Sequence, residues 1–154
     1  MTLVDTSSLL SYRLNRQWNK VYKNIQNTKI YPGINNLVNE LKLRYELGIV
    51  TSSPRKYANK IIQYHNIKLP ILVAYHDTKL HKPAPDPILL GCQKLNCTYN
   101  NVISIGDDIN DVKASNSANT TSVFVSWKNS ILNASQADYS FTSIEDLKQF
   151  LLNL

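Results

Sequence analysis

The spacing of apolar positions changes along the chain, and that spacing divides it into alternating elements. Leu10, Leu14, Trp18, Val21, Tyr22 and Ile25 recur at helical intervals and predict one amphipathic helix over residues 8–26. Pro32-Gly33 ends the stretch that follows, and Ile34, Leu37, Val38 and Leu41 predict a second helix. Leu47-Gly48-Ile49-Val50-Thr51 is a short apolar run with the character of a buried strand, and Ser52-Ser53-Pro54 opens a helix carrying Tyr57, Ile61, Ile62 and His65. A further apolar run spans Ile71 to Tyr75, and a loop from His76 to Pro85 leads to a helix over Asp86 to Asn96. Asp86 is expected to cap that helix, with Pro87 at its first position. Asn101 to Ile105 predicts the next strand, Ile109 to Ser117 a helix, and Thr121 to Ser126 a β-branched strand. Asp138 to Phe141 precedes a closing helix with a capping box at Ser143 and Asp146.

Strands separated by helices imply a parallel sheet wound on both faces, because parallel neighbours need crossover connections. The fold class is therefore α/β, a Rossmann-like doubly wound sheet, with residues 1–154 forming one domain. Ligands in such sheets bind beyond the carboxyl ends of the strands, which directs attention to the residues just after Val50, Tyr75 and Ile105.

Composition narrows the class. The 154 residues are 43% hydrophobic and 18% charged, suited to one globular core that needs no disulfide framework. Cys92 and Cys97 lack metal-ligand spacing and read as incidental or buried thiols, as His65, His76 and His81 read as loop or core residues. There is no apolar run of membrane-spanning length and no signal-peptide pattern at Met1 to Asp5, so a cytoplasmic home without membrane contact is expected. The Asn-x-Ser/Thr triplets at Asn96, Asn119 and Asn133 then carry no meaning. A net charge of +6 leaves an anionic partner open, whether a small phosphorylated molecule or nucleic acid. Arg13, Arg16, Lys20 and Lys23 lie on the polar side of the first helix, where a solvated face is the favoured reading and a nucleic-acid surface the weaker one.

Three groups after three strands can carry chemistry. Thr51-Ser52-Ser53-Pro54 places hydroxyls at a helix start, where free N–H groups suit an anion, although a plain N-cap accounts for the group taken alone. His81-Lys82-Pro83-Ala84-Pro85 holds Lys82 on a stiffened loop; an exposed lysine is the alternative. Gly106-Asp107-Asp108-Ile109-Asn110-Asp111 gathers three carboxylates at a strand end. Capping explains one of them, and a hard cation such as Mg²⁺ is the natural partner of all three.

Together these groups resemble motifs two, three and four of the haloacid dehalogenase superfamily, most of whose members are Mg²⁺-dependent phosphohydrolases. Tyr31-Pro32-Gly33, Ser126-Trp127 and Ala137-Asp138-Tyr139 extend the likeness over nearly the whole chain. The resemblance implies attack of an aspartate on a phosphate monoester, an aspartyl-phosphate, and its hydrolysis. Thr51 and Ser52 would bind the phosphoryl group, Lys82 would neutralise its charge, and Asp107 would ligate Mg²⁺ with Asp108 and Asp111 in support. The family's first motif, DxDxT, is the departure. Thr2-Leu3-Val4-Asp5-Thr6 matches the tail that often follows it, which places both catalytic aspartates and their strand before Met1 and predicts an inactive chain; a rival register makes Asp5 the nucleophile. Residues 8–28 stand where relatives insert a cap domain. So small a cap implies an open site, for a bulky substrate or for covering by a second copy of the chain. The alternative function is a non-catalytic module that keeps the pocket to bind a phosphorylated ligand, nucleic acid or a protein.

Overall fold

A computed structural model describes residues 1–127 and 136–154, so the Asn133 triplet lies outside the described residues. The chain opens with β1 (Val4–Asp5), α1 (Leu10–Leu14), α2 (Trp18–Lys23), β2 (Lys29–Ile30) and α3 (Ile34–Leu41). It continues with β3 (Gly48–Val50), α4 (Arg55–Tyr64), β4 (Ile71–Val73) and α5 (Asp86–Lys94). It closes with β5 (Ile103–Gly106), α6 (Ile109–Ser117), β6 (Thr121–Val125), β7 (Tyr139–Phe141) and α7 (Ile144–Leu152).

The expected parallel α/β architecture is present, in two sheet segments. β3 pairs in parallel with β4, and β5, β6 and β7 form a parallel three-stranded sheet in that order. No ladder joins β3 to β5 among the described residues. The segments are nevertheless neighbours, because Val50 of β3 and Val102 before β5 pack against one cluster of Ile88, Cys92, Ala114 and Ala118 on α5 and α6. On the opposite side, Ile34, Leu37, Val38 and Leu41 of α3 meet Val123, Val125, Leu147 and Leu151 in the main core. A third cluster joins the first helices to α4 through Val21, Ile25, Tyr57 and Ile61.

The helix predicted over residues 8–26 is instead two short helices. Asn15 bonds the Ser11 carbonyl through both its backbone N–H and its side-chain amide, and Arg16 then takes φ 53°, which ends α1. The break turns Leu14 outward, 74% exposed, and Leu10 with it, while Leu9 becomes fully buried. Asp86 begins α5 rather than capping it, because Ile88 and Leu89 N–H both bond the Pro85 carbonyl and draw the start back one residue. Ser143 does cap α7, accepting from Asp146 N–H at 3.3 Å. Gly33 takes φ 90°, a left-handed conformation that turns the chain from β2 into α3.

Candidate active site

The pocket is lined by residues that follow β3 and β4, and Lys82 ties it to the turn after β5. Thr51 follows β3, and its N–H bonds the Val73 carbonyl, continuing the ladder by one residue. Its Oγ1 accepts the Ser53 N–H at 3.2 Å, so the hydroxyl proton is left to point elsewhere. Ser53 in turn accepts the Tyr75 N–H, which fixes the loop after β4 against the loop after β3. Thr51, Ser52, Tyr75, Thr78, His81 and Lys82 line one small pocket. Lys82 is turned inward: its Nζ donates to the Val50 carbonyl at 3.3 Å and to Asp111 Oδ1 at 2.5 Å. That leaves one ammonium proton uncommitted. Lys79, in contrast, is exposed.

The acidic turn sorts its three carboxylates into different tasks. Asp108 is the N-cap of α6, with Oδ1 accepting the Asn110 N–H at 2.8 Å. Asp111 spans the turn, its Oδ2 accepting the N–H groups of Asp107 and Asp108 at 3.2 Å each while its Oδ1 holds Lys82. Gly106 makes this possible: a Cβ there would lie 2.2 Å from the Asp111 Cβ, so only glycine lets the Asp111 side chain fold back over the strand end. Asp107 is different. Its carboxylate faces the amino group of Met1, and its Oδ1 accepts the Thr2 hydroxyl at 2.8 Å. No group of three His, Cys, Asp or Glu side chains converges on one metal-sized position among the described residues.

Thr51, Ser52 and Lys82 therefore share a pocket, Asp111 is tied to that pocket through Lys82, Asp107 joins the group only through its N–H bond to Asp111 and faces Met1 and Thr2 instead, and Asp108 serves the helix. The contacts that residues 1–3 make were not readable from the residues alone. Met1 Sδ accepts from the N–H and hydroxyl of Thr6, and the Trp127 indole donates to the Thr2 carbonyl at 2.8 Å, so residues 1–3 are pinned beside Asp107. They form no strand of the parallel sheet. Asp5 lies in an antiparallel ladder against Lys29, not at the end of a parallel strand. His81 stacks on Tyr75 with ring centroids 3.9 Å apart, making an aromatic wall that neither residue alone advertised.

A family model for haloacid dehalogenase-like hydrolases matches residues 2–125. The chain belongs to that family. Pyrophosphatase PpaX of Bacillus velezensis is 32% identical over 123 residues, covering 76% of this chain and 57% of its own length. A phosphoglycolate phosphatase of Psychrobacter arcticus is 32% identical over 104 residues, covering 65% of this chain and 45% of its own. The chain thus spans about half the length of the curated relatives it matches. The solved structure of a HAD phosphatase from Thermococcus onnurineus superposes with a TM-score of 0.77 at 22% identity, over 84% of this chain and 61% of that one, which establishes the HAD-like α/β fold. No helix among the described residues is long and apolar enough to cross a membrane.

Proposed function

We propose that the protein is a Mg²⁺-dependent hydrolase of small phosphate monoesters, and that residues 1–154 supply its phosphate-binding and charge-neutralising half but not its attacking carboxylate. The observation that carries this reading is the pairing of one free Thr51 hydroxyl proton with one free Lys82 ammonium proton in a single pocket. A phosphate oxygen accepts from both, and the Lys82 charge offsets the charge that builds on the transferring group. Asp111 positions Lys82 rather than touching substrate.

The donor set at Asp107 fits a Mg²⁺ ion. This carboxylate takes no part in helix capping, its Oδ1 accepts only the Thr2 hydroxyl among the described side chains, and Mg²⁺ is commonly held by one or two carboxylates with phosphate and water oxygens completing the shell. When bound there, the ion would supply Lewis-acid neutralisation of phosphate charge. Asp107 would hold it, while Lys82, kept in place by Asp111, would add its charge at the phosphate.

Two features support an attacking group from outside residues 1–154. Among the described residues no ladder joins β3 to β5, and Thr2 to Thr6 match the tail of the family's first motif. Isothermal titration with inorganic phosphate tests the binding half without turnover. Lys82→Met is expected to weaken phosphate at least tenfold and Thr51→Val severalfold, while Asp107→Asn is expected to abolish Mg²⁺ uptake and Asp108→Asn to spare it. Unchanged phosphate affinity in both Thr51→Val and Lys82→Met contradicts the reading.

A further inference from the structure

The chain's charge is unevenly distributed in a way the phosphate pocket does not use. Residues 6–39 hold five Lys and Arg and no Asp or Glu, and residues 47–76 hold four and again none. These two acid-free stretches pack on each other through the cluster of Val21, Ile25, Tyr57 and Ile61. Four of their nine cations lie over aromatic rings rather than against carboxylates. Lys56 and Lys60 of α4 lie over the Tyr22 ring of α2, 5.2 and 5.7 Å from its centroid, and Lys20 lies 5.8 Å from Tyr12. Arg13 covers Tyr57 at 5.2 Å. Among the described residues none of these four cations, nor Arg16 or Lys23, has an ion pair, whereas Arg55 does, with Asp77. A ring orders a cation without neutralising it. The face therefore presents a fixed, uncompensated set of positive charges.

We propose that this face, built from α1, α2 and α4, binds single-stranded nucleic acid. The charge pattern suits a flexible polyanion whose phosphates repeat along one direction. Neutral hydrogen-bonding groups are interspersed with the cations, as base edges require: Arg16, Gln17, Trp18, Asn19 and Lys20 line one open groove, and Asn59 is exposed on α4 between Lys56 and Lys60. Trp18 is half-buried, stacked on Tyr22 at 6.2 Å and tilted against Tyr57 at 6.1 Å, and its remaining surface lines the groove, where a base could stack. A lipid surface is the competing polyanion, and it would draw on the apolar Leu10 and Leu14 of α1 more than on the amides and rings. Binding here requires neither the phosphate pocket nor turnover.

Fluorescence anisotropy of the full chain with a labelled single-stranded oligonucleotide of about 20 nucleotides reads this directly. If about four phosphates are contacted, raising monovalent salt from about 50 to 200 mM is expected to weaken binding roughly 50-fold. Lys20→Glu with Lys56→Glu is expected to weaken it at least tenfold and to flatten that salt dependence. Lys42→Glu with Lys94→Glu makes the same change in net charge away from the face and is expected to stay within about twofold of the parent. Trp18→Ala is expected to lose severalfold affinity with the salt dependence intact, because stacking releases no counterions. Milder Lys20→Gln and Lys56→Gln replacements, checked by circular dichroism, guard against a folding defect. The proposal is overturned by no oligonucleotide binding at low salt, by equal losses in the two double variants, or by binding to phosphatidylserine vesicles that survives where oligonucleotide binding is absent.

Discussion

The two sheet segments obey the same hydrophobic code yet are buried very differently. β6 is paired on both edges and covered by α3 and α7 on one face, and Val123 and Val125 are 1% and 0% exposed. Among the described residues β3 is paired on one edge, and its Gly48 is exposed while Ile49 and Val50 are half-buried. β5 is intermediate, paired with β6 but not with β3, and Ile103, Ser104 and Ile105 are all half-buried. The contrast teaches that similar apolar runs reach different degrees of enclosure according to how many of their edges are paired and which helices cover them. The best-buried strand lies in the three-stranded segment, and the proposed phosphate site lies at the seam, where Lys82 links the Val50 carbonyl to Asp111.

Core truncation gives the largest expected separation between the segments. Leu147→Ala, at a position 2% exposed against β6, is expected to cost about 3 kcal/mol in denaturant unfolding. Ile49→Ala in half-buried β3 is expected to cost about 1 kcal/mol, and equal losses would erase the distinction. Gly106→Ala falls between them at about 2 kcal/mol, since the Asp111 side chain must leave the strand end, and it is expected to weaken phosphate affinity as well because Lys82 loses its anchor. A stability loss with unchanged phosphate affinity would separate the turn from the pocket.

A smaller effect depends on pH and belongs to the β3 side of the molecule. The Thr28 hydroxyl donates to the Ile25 carbonyl at 2.6 Å, so at its 2.7 Å contact with His65 it accepts, and His65 Nε2 carries the proton. Burial disfavours the charged imidazolium and holds the His65 pKa below 6.5. The folded chain then binds fewer protons than the unfolded chain just below that value. The stability from neutral His65 is present in full above pH 6.5 and declines as pH falls through the window beneath it. His65→Gln is expected to flatten this slope in thermal unfolding, and an unchanged slope contradicts the assignment. The smallest expected change is a gain: the Tyr57 hydroxyl is buried with no hydrogen-bond partner among the described residues, so Tyr57→Phe is expected to stabilise by up to about 1 kcal/mol.

Much of this was legible in the residues and some was not, for identifiable reasons. The strand and helix order follows from apolar runs bounded by Pro, Gly and hydroxyl residues, and Thr51, Ser52 and Lys82 could be placed together because parallel strands deliver their following loops to one edge. The division of labour among Asp107, Asp108 and Asp111 was not readable, because which acid caps α6 depends on a turn that closes only when Gly106 admits the Asp111 side chain. The break at Asn15-Arg16 escaped periodicity, which sees apolar spacing but not an amide competing for a backbone carbonyl. The acid-free pairing of α2 with α4 was invisible for a different reason. Four lysines and arginines on one helix read as solvated, and only packing shows that Lys56 and Lys60 join them over Tyr22.

The most direct test of the seam is turnover of an aryl phosphate with Mg²⁺ by residues 1–154, measured beside the same chain extended at Met1 by an apolar strand ending in Asp-x-Asp-Gly. The account predicts negligible turnover by the first and robust, Lys82-dependent turnover by the second, since an attacking carboxylate opens the covalent route while positioning groups alone leave only a residual rate. Robust turnover by the unextended chain, abolished by Asp5→Asn, would contradict it and make Asp5 the nucleophile.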